Sequence, residues 1–341
     1  MALSLIILSQ LLFSCGTSPA GPGNDTETQS GETSTEESTT SAEIPDDLPE
    51  ADYEGKTFTT ITFDQLLPDY EAETENGDVI NDAVYARNRN VSERFNLKIE
   101  TMSNADYGET TNFIKKTTLA GEEVFQLIAH HAVSMGTLAM DGLFMNWYDI
   151  PYIDFSKPWW SEKVKDEMTI NGKCFMITGD ISLTLWEGMS CVMFNKKLAD
   201  NYGIGNMYDL VKKGNWTFDK MLDITKDRYQ DLDGDGEVSD NDAFGMIHGT
   251  ATEIDNYKEA FEIPVTKRGD DGYPEFALKS EKIVDVLTRL DAWVWNSNDV
   301  YWGLNLDRPV LQEIFSRGNS LLFDSTLGAT QNLRDMKDDF G

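Results

Sequence analysis

One stretch of the chain combines acidic residues and glycines at the spacing of a cation-binding loop. It covers residues 231–242 and reads DLDGDGEVSDND. Aspartates occupy the first, third and fifth positions, where alternate residues direct carboxylates inward, and a glycine occupies the sixth, where the chain turns sharply. Ca²⁺ takes about six to eight oxygen ligands, so this spacing predicts a structural calcium loop. The predicted ligands are Asp231, Asp233, Asp235, Glu237 through its backbone carbonyl, and Asp242.

The loop departs from the usual EF-hand-type pattern at two points. Its twelfth residue, Asp242, is one methylene shorter than the usual glutamate, and residues 243–247 predict a strand where a second helix is usual. A structural ion therefore fits better than a calcium switch. An acidic, solvated turn without an ion is the alternative interpretation.

A short helix precedes the loop and must position it. Thr217 predicts its start, because a threonine hydroxyl accepts a hydrogen bond from the N–H groups of a first helical turn. Asp219 suits the positive end of the helix dipole. One face of this helix carries Phe218, Met221, Leu222 and Thr225.

Composition limits the classes of function. The chain has 341 residues of which 40% are hydrophobic, enough for two packed domains. Its net charge of −32 argues against binding to nucleic acid and against electrostatic attachment to anionic lipid. With three cysteines, this acidity fits a secreted protein that does not depend on disulfides. Whether Cys174 and Cys191 pair stays open.

The first residues predict a lipoprotein signal peptide, residues 1–15. They are mostly apolar and too few to span a bilayer. Residues 12–15, LFSC, resemble a lipobox, after which the chain is cleaved and Cys15 is acylated. The bulky Phe13 and the missing basic n-region suggest a true start upstream of Met1; a signal without lipidation is the alternative. Residues 16–50 are rich in Ser, Thr and Glu and predict a disordered tether.

Strands alternate with helices along the next part of the chain. Such alternation implies parallel strands joined by crossover helices, and so an α/β fold. We predict strands over residues 58–63, 97–102 and 125–129, and helices after Asp78 and near 111–119 and 134–140. The apolar face predicted for the first helix consists of Ile80, Val84, Val91 and Phe95, and that of a later helix from Ser280 consists of Ile283, Leu287, Leu290 and Val294.

Several motifs that follow one another in the chain resemble a known family. They are residues 77–85, 94–96, 192–199 (VMFNKKLA), 208–211 (YDLV), 214–217 (GNWT) and the acidic loop. Together they resemble the extracellular solute-binding lipoproteins of bacterial ABC transporters, the carbohydrate-type family 1. The resemblance covers about residues 53–341.

The resemblance implies a type II, periplasmic-binding-protein-like fold of two α/β lobes with ligand in the cleft. The N-terminal lobe would cover residues 51–180 and the C-terminal lobe residues 185–341. Such a protein is a monomeric receptor, lipid-anchored at the extracellular face of the membrane, that delivers a sugar, here expected to be an oligosaccharide, to ABC permease subunits. Members of the family extend further, which implies that this chain is C-terminally truncated and its first lobe incomplete.

Carbohydrate sites combine aromatic rings, which meet C–H faces, with polar groups, which meet hydroxyls. Each tryptophan could equally pack in a core. Asp64 and Gln65 follow the first strand, where open α/β sheets bind ligands. The remaining candidates are the rings of Trp159, Trp186, Tyr301 and Trp302 and the carboxylates of Asp180 and Asp324.

No catalytic constellation stands out in the sequence, so we expect no enzyme. His130, His131 and His248 lack metal-ligand spacing, and neighbouring histidines on a strand point to opposite sides. A phosphate-binding loop and a Gly-x-Ser-x-Gly elbow are both missing. Two alternatives remain: a calcium-containing glycoside hydrolase or lyase, and a surface adhesion module that uses the loop as dockerins do.

Overall fold

The computed structural model describes residues 44–249, 251–303, 306, 308–336 and 339–341. Cys15, the predicted signal peptide and most of the predicted tether lie outside these residues. The described chain divides into two compact units. Unit 1 consists of residues 44–169 and 173–181, and unit 2 of residues 170–172 and 182–341. Among the described residues, no helix is both long and apolar enough to cross a membrane.

Unit 1 follows the predicted alternation of strands and helices. Its elements are β1 (Lys56–Phe63), α1 (Leu67–Tyr70), α2 (Val79–Phe95), β2 (Leu97–Asn104), α3 (Tyr107–Ala120), β3 (Leu127–Ile128), α4 (Ala132–Met140) and α5 (Glu162–Met168). Short 3-10 helices cover Asp64–Leu66 and Trp147–Asp149. The short strands β4 (Thr169–Ile170) and β5 (Lys173–Cys174) follow α5.

A three-stranded parallel sheet in the order β2-β1-β3 organises unit 1. β1 runs beside β2 over its whole length, from Lys56 opposite Leu97 to Phe63 opposite Asn104. The carboxyl ends of the three strands therefore meet at one edge, as the prediction of crossover helices requires. The buried core between the sheet and the helices α3 and α4 consists of Ile61, Ile114, Met135 and Leu138.

The start of α2 is predicted correctly, but its apolar face is not. The Asp78 carboxylate caps the helix by accepting hydrogen bonds from the N–H groups of Ile80 and Asn81, both at 3.0 Å. Of the helix residues only Val84 is buried, and Ile80 is 53% exposed. A cap is a local interaction, whereas the buried face depends on what packs against the helix.

The last residues of the predicted tether are among those that the structure describes. The Asp46 carboxylate pairs with Arg94 of α2, and the Asp47 carboxylate pairs with Lys157 at 2.5 Å. Lys157 also donates a hydrogen bond to the carbonyl of Pro45 at 2.8 Å. Residues 44–50 have no regular secondary structure, and a composition too polar to build a core can still be fixed by ion pairs to a neighbouring fold.

Unit 2 contains more elements than the sequence predicted. Its helices are α6 (Leu183–Glu187), α7 (Lys196–Asn201), α8 (Met207–Lys212), α9 (Phe218–Thr225), α10 (Ala251–Ile254), α11 (Asn256–Ala260), α12 (Glu281–Leu290) and α13 (Arg308–Ser316). Its strands are β6 (Ser190–Phe194), β7 (Phe244–His248), β8 (Thr266–Arg268), β9 (Pro274–Phe276), β10 (Val300–Trp302) and β11 (Ser320–Thr326). A π-helix covers Asp291–Trp295, and 3-10 turns cover Leu327–Met336 with a kink at Leu333.

The main sheet of unit 2 is mixed, in the order β10-β7-β11-β6. β10, β7 and β11 are parallel, and β6 is antiparallel to β11. Both faces of the sheet are covered. One face packs with Met246 and Leu322 in the larger cluster, which includes the helices α9 and α12. The other packs with Ile247 in a smaller cluster around α13.

Local helix signals in unit 2 agree with the structure better than the predicted faces do. The Thr217 hydroxyl accepts a hydrogen bond from the Lys220 N–H at 3.1 Å, which confirms the predicted cap of α9. In α12 the predicted face is wrong at Leu287, which is 54% exposed, while Val286 and Leu290 are buried. The π-helix that follows buries Trp293 together with the predicted Val294.

The two described cysteines are free thiols. Cys174 is buried in unit 1, and Cys191 is half-buried in unit 2. The structure therefore gives no disulfide between them.

Candidate functional site

The acidic loop folds so that three carboxylates converge. Oxygens of Asp231, Asp233 and Asp235 all lie within 4.8 Å of one another, and all three residues are exposed. The Asp231 carboxylate accepts hydrogen bonds from the N–H groups of Gly234 at 2.6 Å and Gly236 at 2.9 Å. Gly236 has φ of +80°, which a residue with a side chain rarely adopts. The loop concentrates negative charge at one point, which a hard cation would neutralise.

Asp242 has a different place from the other predicted ligands. It is fully buried and lies outside the group of three. One carboxylate oxygen accepts from the Leu232 N–H, and the other accepts from the Ser239 N–H and the Tyr229 hydroxyl. The hydrogen bond from Ser239 does most to lower the pKa of Asp242. The Asp242 side chain therefore closes the loop by accepting hydrogen bonds from backbone N–H groups of the loop. Glu237 is exposed, and its N–H donates to Asp235 at 2.7 Å.

At the carboxyl edge of the unit 1 sheet, polar side chains surround a buried ring. Asp64 and Gln65 begin the 3-10 helix after β1, and both are exposed. The Ser103 hydroxyl, from β2, donates to the Asp64 carboxylate at 2.5 Å. Phe63, only 2% exposed, lies beneath them. The structure thus places both predicted residues at the edge where parallel sheets bind ligands.

Two histidines and a tyrosine complete this edge, and sequence analysis missed them. The ring centroid of Phe63 lies 5.3 Å from that of His130, 4.8 Å from His131 and 6.5 Å from Tyr107. The expectation that the histidines point to opposite sides of a strand is wrong, because β3 ends at Ile128 and His131 precedes the first residue of α4. The signal was present in the sequence: the histidines follow directly after an apolar run.

Elsewhere in unit 1, Trp159 and Asp180 lie close together. The Asp180 N–H donates to the Trp159 carbonyl at 3.0 Å. Burial raises the pKa of the Asp180 carboxyl group above its usual value. Trp159 is only 5% exposed. A sugar-stacking platform needs a free ring face, so this geometry gives Trp159 a packing role.

The unit 2 sheet brings four residues from four strands into one row. His248, at the end of β7, is the register partner of Trp302 on β10 and of Asp324 on β11, and Asp324 is in turn the partner of Val192 on β6. Register partners direct their side chains to the same face of a sheet. Two of the predicted ligand-binding residues, Trp302 and Asp324, therefore flank a histidine that the sequence did not single out.

The two ionisable residues of this row are buried, and burial controls their charge. His248 is fully buried and Asp324 is 4% exposed. Desolvation lowers the pKa of His248 to about 4 and raises the pKa of Asp324 to about 8. The imidazole Nε2 and a carboxyl oxygen are 3.2 Å apart. Desolvation thus disfavours the charged form of both groups, which favours a contact between neutral groups over an ion pair.

Charged and aromatic neighbours enclose the row. The Glu253 carboxylate, itself buried, pairs with Arg308 at 2.7 Å. Tyr257 stacks on His248 with ring centroids 5.7 Å apart. The negative charge of Glu253 opposes the lowering of the His248 pKa and adds to the raising of the Asp324 pKa. Desolvation remains the larger cause for both groups.

Tyr301 and Trp302, both predicted ligand contacts, pack in different hydrophobic clusters. Tyr301 packs with the cluster around α13, and its ring stacks on Phe244 at 4.7 Å. Trp302 packs with the other cluster, because successive strand residues point to opposite faces. Tyr301 and Trp302 therefore cannot form one platform. Trp186, in α6, is 51% exposed and keeps a ring free for a ligand.

Unit 2 also contains a cavity that sequence analysis did not predict, called here the β6 cavity. Its volume is about 830 Å³. Ser190, Val192 and Phe194, alternate residues of β6, line one wall. Asp219 of α9 and Arg289 of α12 pair with each other and also line it. Its other walls come from α8, α9 and α11, so no single stretch of sequence reveals it.

No family model and no curated protein matches the sequence. Solved structures do match. A cyclo/maltodextrin-binding protein in complex with maltotetraose gives a TM-score of 0.54 at 13% identity, covering 84% of this chain and 63% of that one. The chain has the fold of the periplasmic sugar-binding proteins. The predicted α/β binding-protein fold is thereby confirmed.

Two further sugar-binding structures have this binding-protein fold. An extracellular solute-binding protein from Staphylococcus aureus in complex with maltose gives a TM-score of 0.53 at 14% identity, covering 86% of this chain and 66% of that one. An ABC substrate-binding protein from Listeria monocytogenes in complex with cycloalternan gives 0.51 at 13% identity, with 82% and 64% covered. The chain thus spans about two thirds of the length of each.

Proposed function

We propose that this protein is an extracellular receptor that binds a carbohydrate, an oligosaccharide in particular, and delivers it to an ABC importer. The observation that carries the proposal is the binding-protein fold, which the chain has in common with proteins solved in complex with maltotetraose, maltose and cycloalternan. Those proteins are described as binding proteins and not as enzymes. The motifs over residues 192–199, 208–211 and 214–217 support the same family.

The polar and aromatic groups of the described units suit a sugar. In unit 1 the exposed Asp64 and Gln65 follow Phe63, whose ring packs edge to face with that of Tyr107, which is 55% exposed. In unit 2 the exposed ring of Trp186 offers an apolar face. Sugar C–H groups pack on such rings, and sugar hydroxyls exchange hydrogen bonds with carboxylates and amides. Each unit thus carries groups of a kind that sugars contact.

A thermal-unfolding screen tests the proposal. The melting temperature is measured with maltose, maltotriose, cyclodextrin and a panel of other neutral oligosaccharides, with an amino acid and a short peptide as controls. A ligand that binds only the folded state raises the melting temperature. At 100 times its dissociation constant it increases the free energy of unfolding by about 2.7 kcal/mol. Cooperative unfolding without a response to any carbohydrate would overturn the proposal, and a response to the peptide alone would redirect it.

Attachment to the membrane through Cys15 is part of the proposed function. It is supported by the sequence LFSC at residues 12–15 and by the polar, core-poor stretch that follows. Cys15→Ala should release the protein from the membrane fraction into the medium of its bacterial host. Cys191→Ala, a matched cysteine variant in the folded part, should stay with the membrane. Unchanged membrane association of Cys15→Ala would exclude lipidation at this residue.

A structural calcium ion at residues 231–242 is also proposed. It is supported by the loop spacing and by the convergence of Asp231, Asp233 and Asp235. Three exposed carboxylates at this distance repel one another, and a divalent cation would remove that repulsion. Asp242 would then fix the loop through its hydrogen bonds to Leu232 and Ser239. The ion would stabilise unit 2 without touching a sugar.

A further inference from the structure

The connection from β1 to α2 begins at the carboxyl edge of the unit 1 sheet. Its first residues are Asp64 and Gln65, the two residues of this edge that the sequence predicted as ligand contacts. The buried Leu66 then leads directly into α1. A helix of only four residues is not stable by itself, so other parts of unit 1 must hold α1 in place. Whatever fixes the position of α1 therefore also fixes Asp64 and Gln65.

Two side chains of α2 hold the carboxyl end of α1. The Arg87 guanidinium donates hydrogen bonds to the carbonyls of Asp69 at 3.1 Å and Tyr70 at 3.4 Å. The Asn88 side-chain amide donates to the same Tyr70 carbonyl at 2.7 Å, and its oxygen accepts from Arg87 Nε at 3.1 Å. The last carbonyls of a helix find no partner within the helix. In α1, a cation and an amide from another helix supply those partners.

Strand β2 holds the same segment at both of its ends. The Ser103 hydroxyl donates to the Asp64 carboxylate at 2.5 Å, and the Thr101 N–H donates to the Glu71 carboxylate at 2.9 Å. Glu71 directly follows α1, and its own N–H donates to the Leu67 carbonyl at 3.0 Å. The segment of residues 64–71 is thus attached to β2 at its first and last residues and to α2 between them.

Arg87 is the attachment that fixes direction as well as distance. The residue is half-buried, and desolvation lowers the pKa of its guanidinium group to about 10, so the group keeps its positive charge at neutral pH. A guanidinium presents its N–H donors in a rigid planar fork, whereas a lysine ammonium is a point charge on a flexible stem. Arg87→Lys therefore keeps the charge and removes the fork.

We propose that Arg87 is a positioning residue for ligand binding: it fixes the segment of residues 64–71 so that Asp64 and Gln65 contact a carbohydrate at the carboxyl edge of unit 1. This inference rests on the proposed function. A binding group that is already held in place loses little conformational freedom when the ligand arrives, and affinity is higher for that reason. Arg87 itself contacts no ligand in this role, because it acts through the two residues at the start of the segment.

Arg87→Lys tests the proposal, and Arg89→Lys is the matched control, because Arg89 lies exposed on the same helix above the ring of Tyr85. Hydrogen exchange at the amides of Glu71 and Thr101 reports whether the segment stays attached. Both amides should exchange at least about tenfold faster in Arg87→Lys and at the wild-type rate in Arg89→Lys. Unchanged exchange along β1 checks that unit 1 remains folded. Equal exchange at Glu71 and Thr101 in all three proteins would overturn the proposal.

Affinity tests the link between Arg87 and the ligand. Titration calorimetry uses maltotriose, or the sugar of the thermal screen that raises the melting temperature most, at a temperature where every variant is folded. Binding should be about tenfold weaker in Arg87→Lys. In a background of Asp64→Ala and Gln65→Ala, the same substitution should weaken binding less than about twofold, because residues that act through one another are not additive. An equal tenfold loss in that background would show a general structural effect and overturn the proposal.

The same titrations separate this inference from the proposed function. A wild type that binds the sugar, with an Arg87→Lys variant that binds it equally well, would overturn this inference alone. A wild type that binds no sugar of the screen would overturn both.

Discussion

The carboxyl edges of the two sheets differ in their exposure to water. In unit 1, Asp64, Gln65 and His131 are exposed around the buried ring of Phe63. In unit 2, His248 and Asp324 are buried at the corresponding ends of parallel strands. The unit 1 edge can therefore exchange hydrogen bonds with a ligand directly. At the unit 2 edge, desolvation favours the neutral forms of His248 and Asp324, so the pH at which each gains or loses its charge is shifted.

The difference follows from which elements cover each sheet. In unit 2, α10 and α11 follow β7 directly, and they place Glu253 and Tyr257 against the end of the strand. In unit 1, β3 leads through two histidines into α4, which packs Met135 and Leu138 below the sheet. The same position in a parallel sheet can thus be a contact surface or a buried polar core. A residue at the end of a strand can therefore be proposed as a ligand contact only when the elements that pack over it are known.

The largest expected effect breaks the unit 1 edge. Phe63→Ala should destabilise unit 1 by about 3–5 kcal/mol, because it leaves a cavity beneath His130, His131 and Tyr107. Denaturant unfolding monitored by hydrogen exchange at β1 measures the loss. Phe63→Leu, which retains most of the volume, should lose less than about 1.5 kcal/mol. A loss below that value for the alanine variant would show that the ring does not organise this edge.

Calcium should act on unit 2 alone and so separate the units. At about 100 times its dissociation constant the ion should stabilise unit 2 by about 2.7 kcal/mol, because it binds only the folded loop. Asp233→Ala should abolish this response, and a chelator should not change the stability of this variant. Asp270→Ala, another exposed aspartate of unit 2, should respond as the wild type does. A melting curve indifferent to both calcium and chelator would contradict the proposed ion.

The buried row of unit 2 should make stability depend on pH. Asp324 has a folded-state pKa of about 8 against 3.8 in the reference state, so folding takes up a proton and stability falls as pH rises between these values. His248 has a folded-state pKa of about 4 against 6.5, so its contribution falls as pH drops between those values. The two slopes cancel between about pH 4 and 6.5, and above 6.5 only that of Asp324 remains.

Asp324→Asn tests this directly, because an amide is neutral at every pH. The wild type should lose about 2 kcal/mol between pH 6.5 and 8, and the variant should lose little of it. Asp64→Asn, at the exposed edge of unit 1, should leave the profile unchanged. If Asp324→Asn instead destabilised the protein strongly at pH 6, His248 and Asp324 would form an ion pair and the comparison of the two edges would fail.

The smallest expected effect concerns the tryptophans and depends on the proposed function. Trp186→Ala should weaken binding of the best carbohydrate by about tenfold, or 1.4 kcal/mol, with little change in stability, because the ring is exposed. Trp159→Ala should do the reverse and lower stability, because the ring is buried. Titration calorimetry and thermal unfolding on both variants measure the two effects. Equal losses of affinity would return Trp159 to the ligand site.

Local sequence patterns predicted where several helices begin and which strands form the sheet of unit 1. Asp78 and Thr217 begin helices as predicted, because a cap depends on a few neighbouring residues. The alternation of strands and helices predicted the parallel sheet of unit 1. The buried faces of α2 and α12 were predicted less well, as Ile80 and Leu287 show. Which face is buried depends on elements far away in the chain.

The candidate site was harder to predict for the same reason. Spacing alone located the three converging aspartates, because the whole loop is local. Tyr301 and Trp302 were proposed together although adjacent strand residues face opposite ways. His248 gained its importance only from its register partners on β10 and β11, and the β6 cavity arises only where α8, α9 and α11 meet β6. Contacts of this kind are fixed by topology, which one sequence does not specify in detail.

The contacts of residues 45–47 have a practical consequence for shortened versions of the protein. A chain begun at residue 51, where the composition changes, would lack Asp46 and Asp47. Lys157, whose side chain is only 14% exposed, would then lose its carboxylate partner and its bond to the carbonyl of Pro45. Arg94 of α2 would likewise lose the carboxylate of Asp46. Recombinant chains meant for crystallisation should therefore retain residues 45–47, and a protease that trims beyond Asp47 would leave a less stable product.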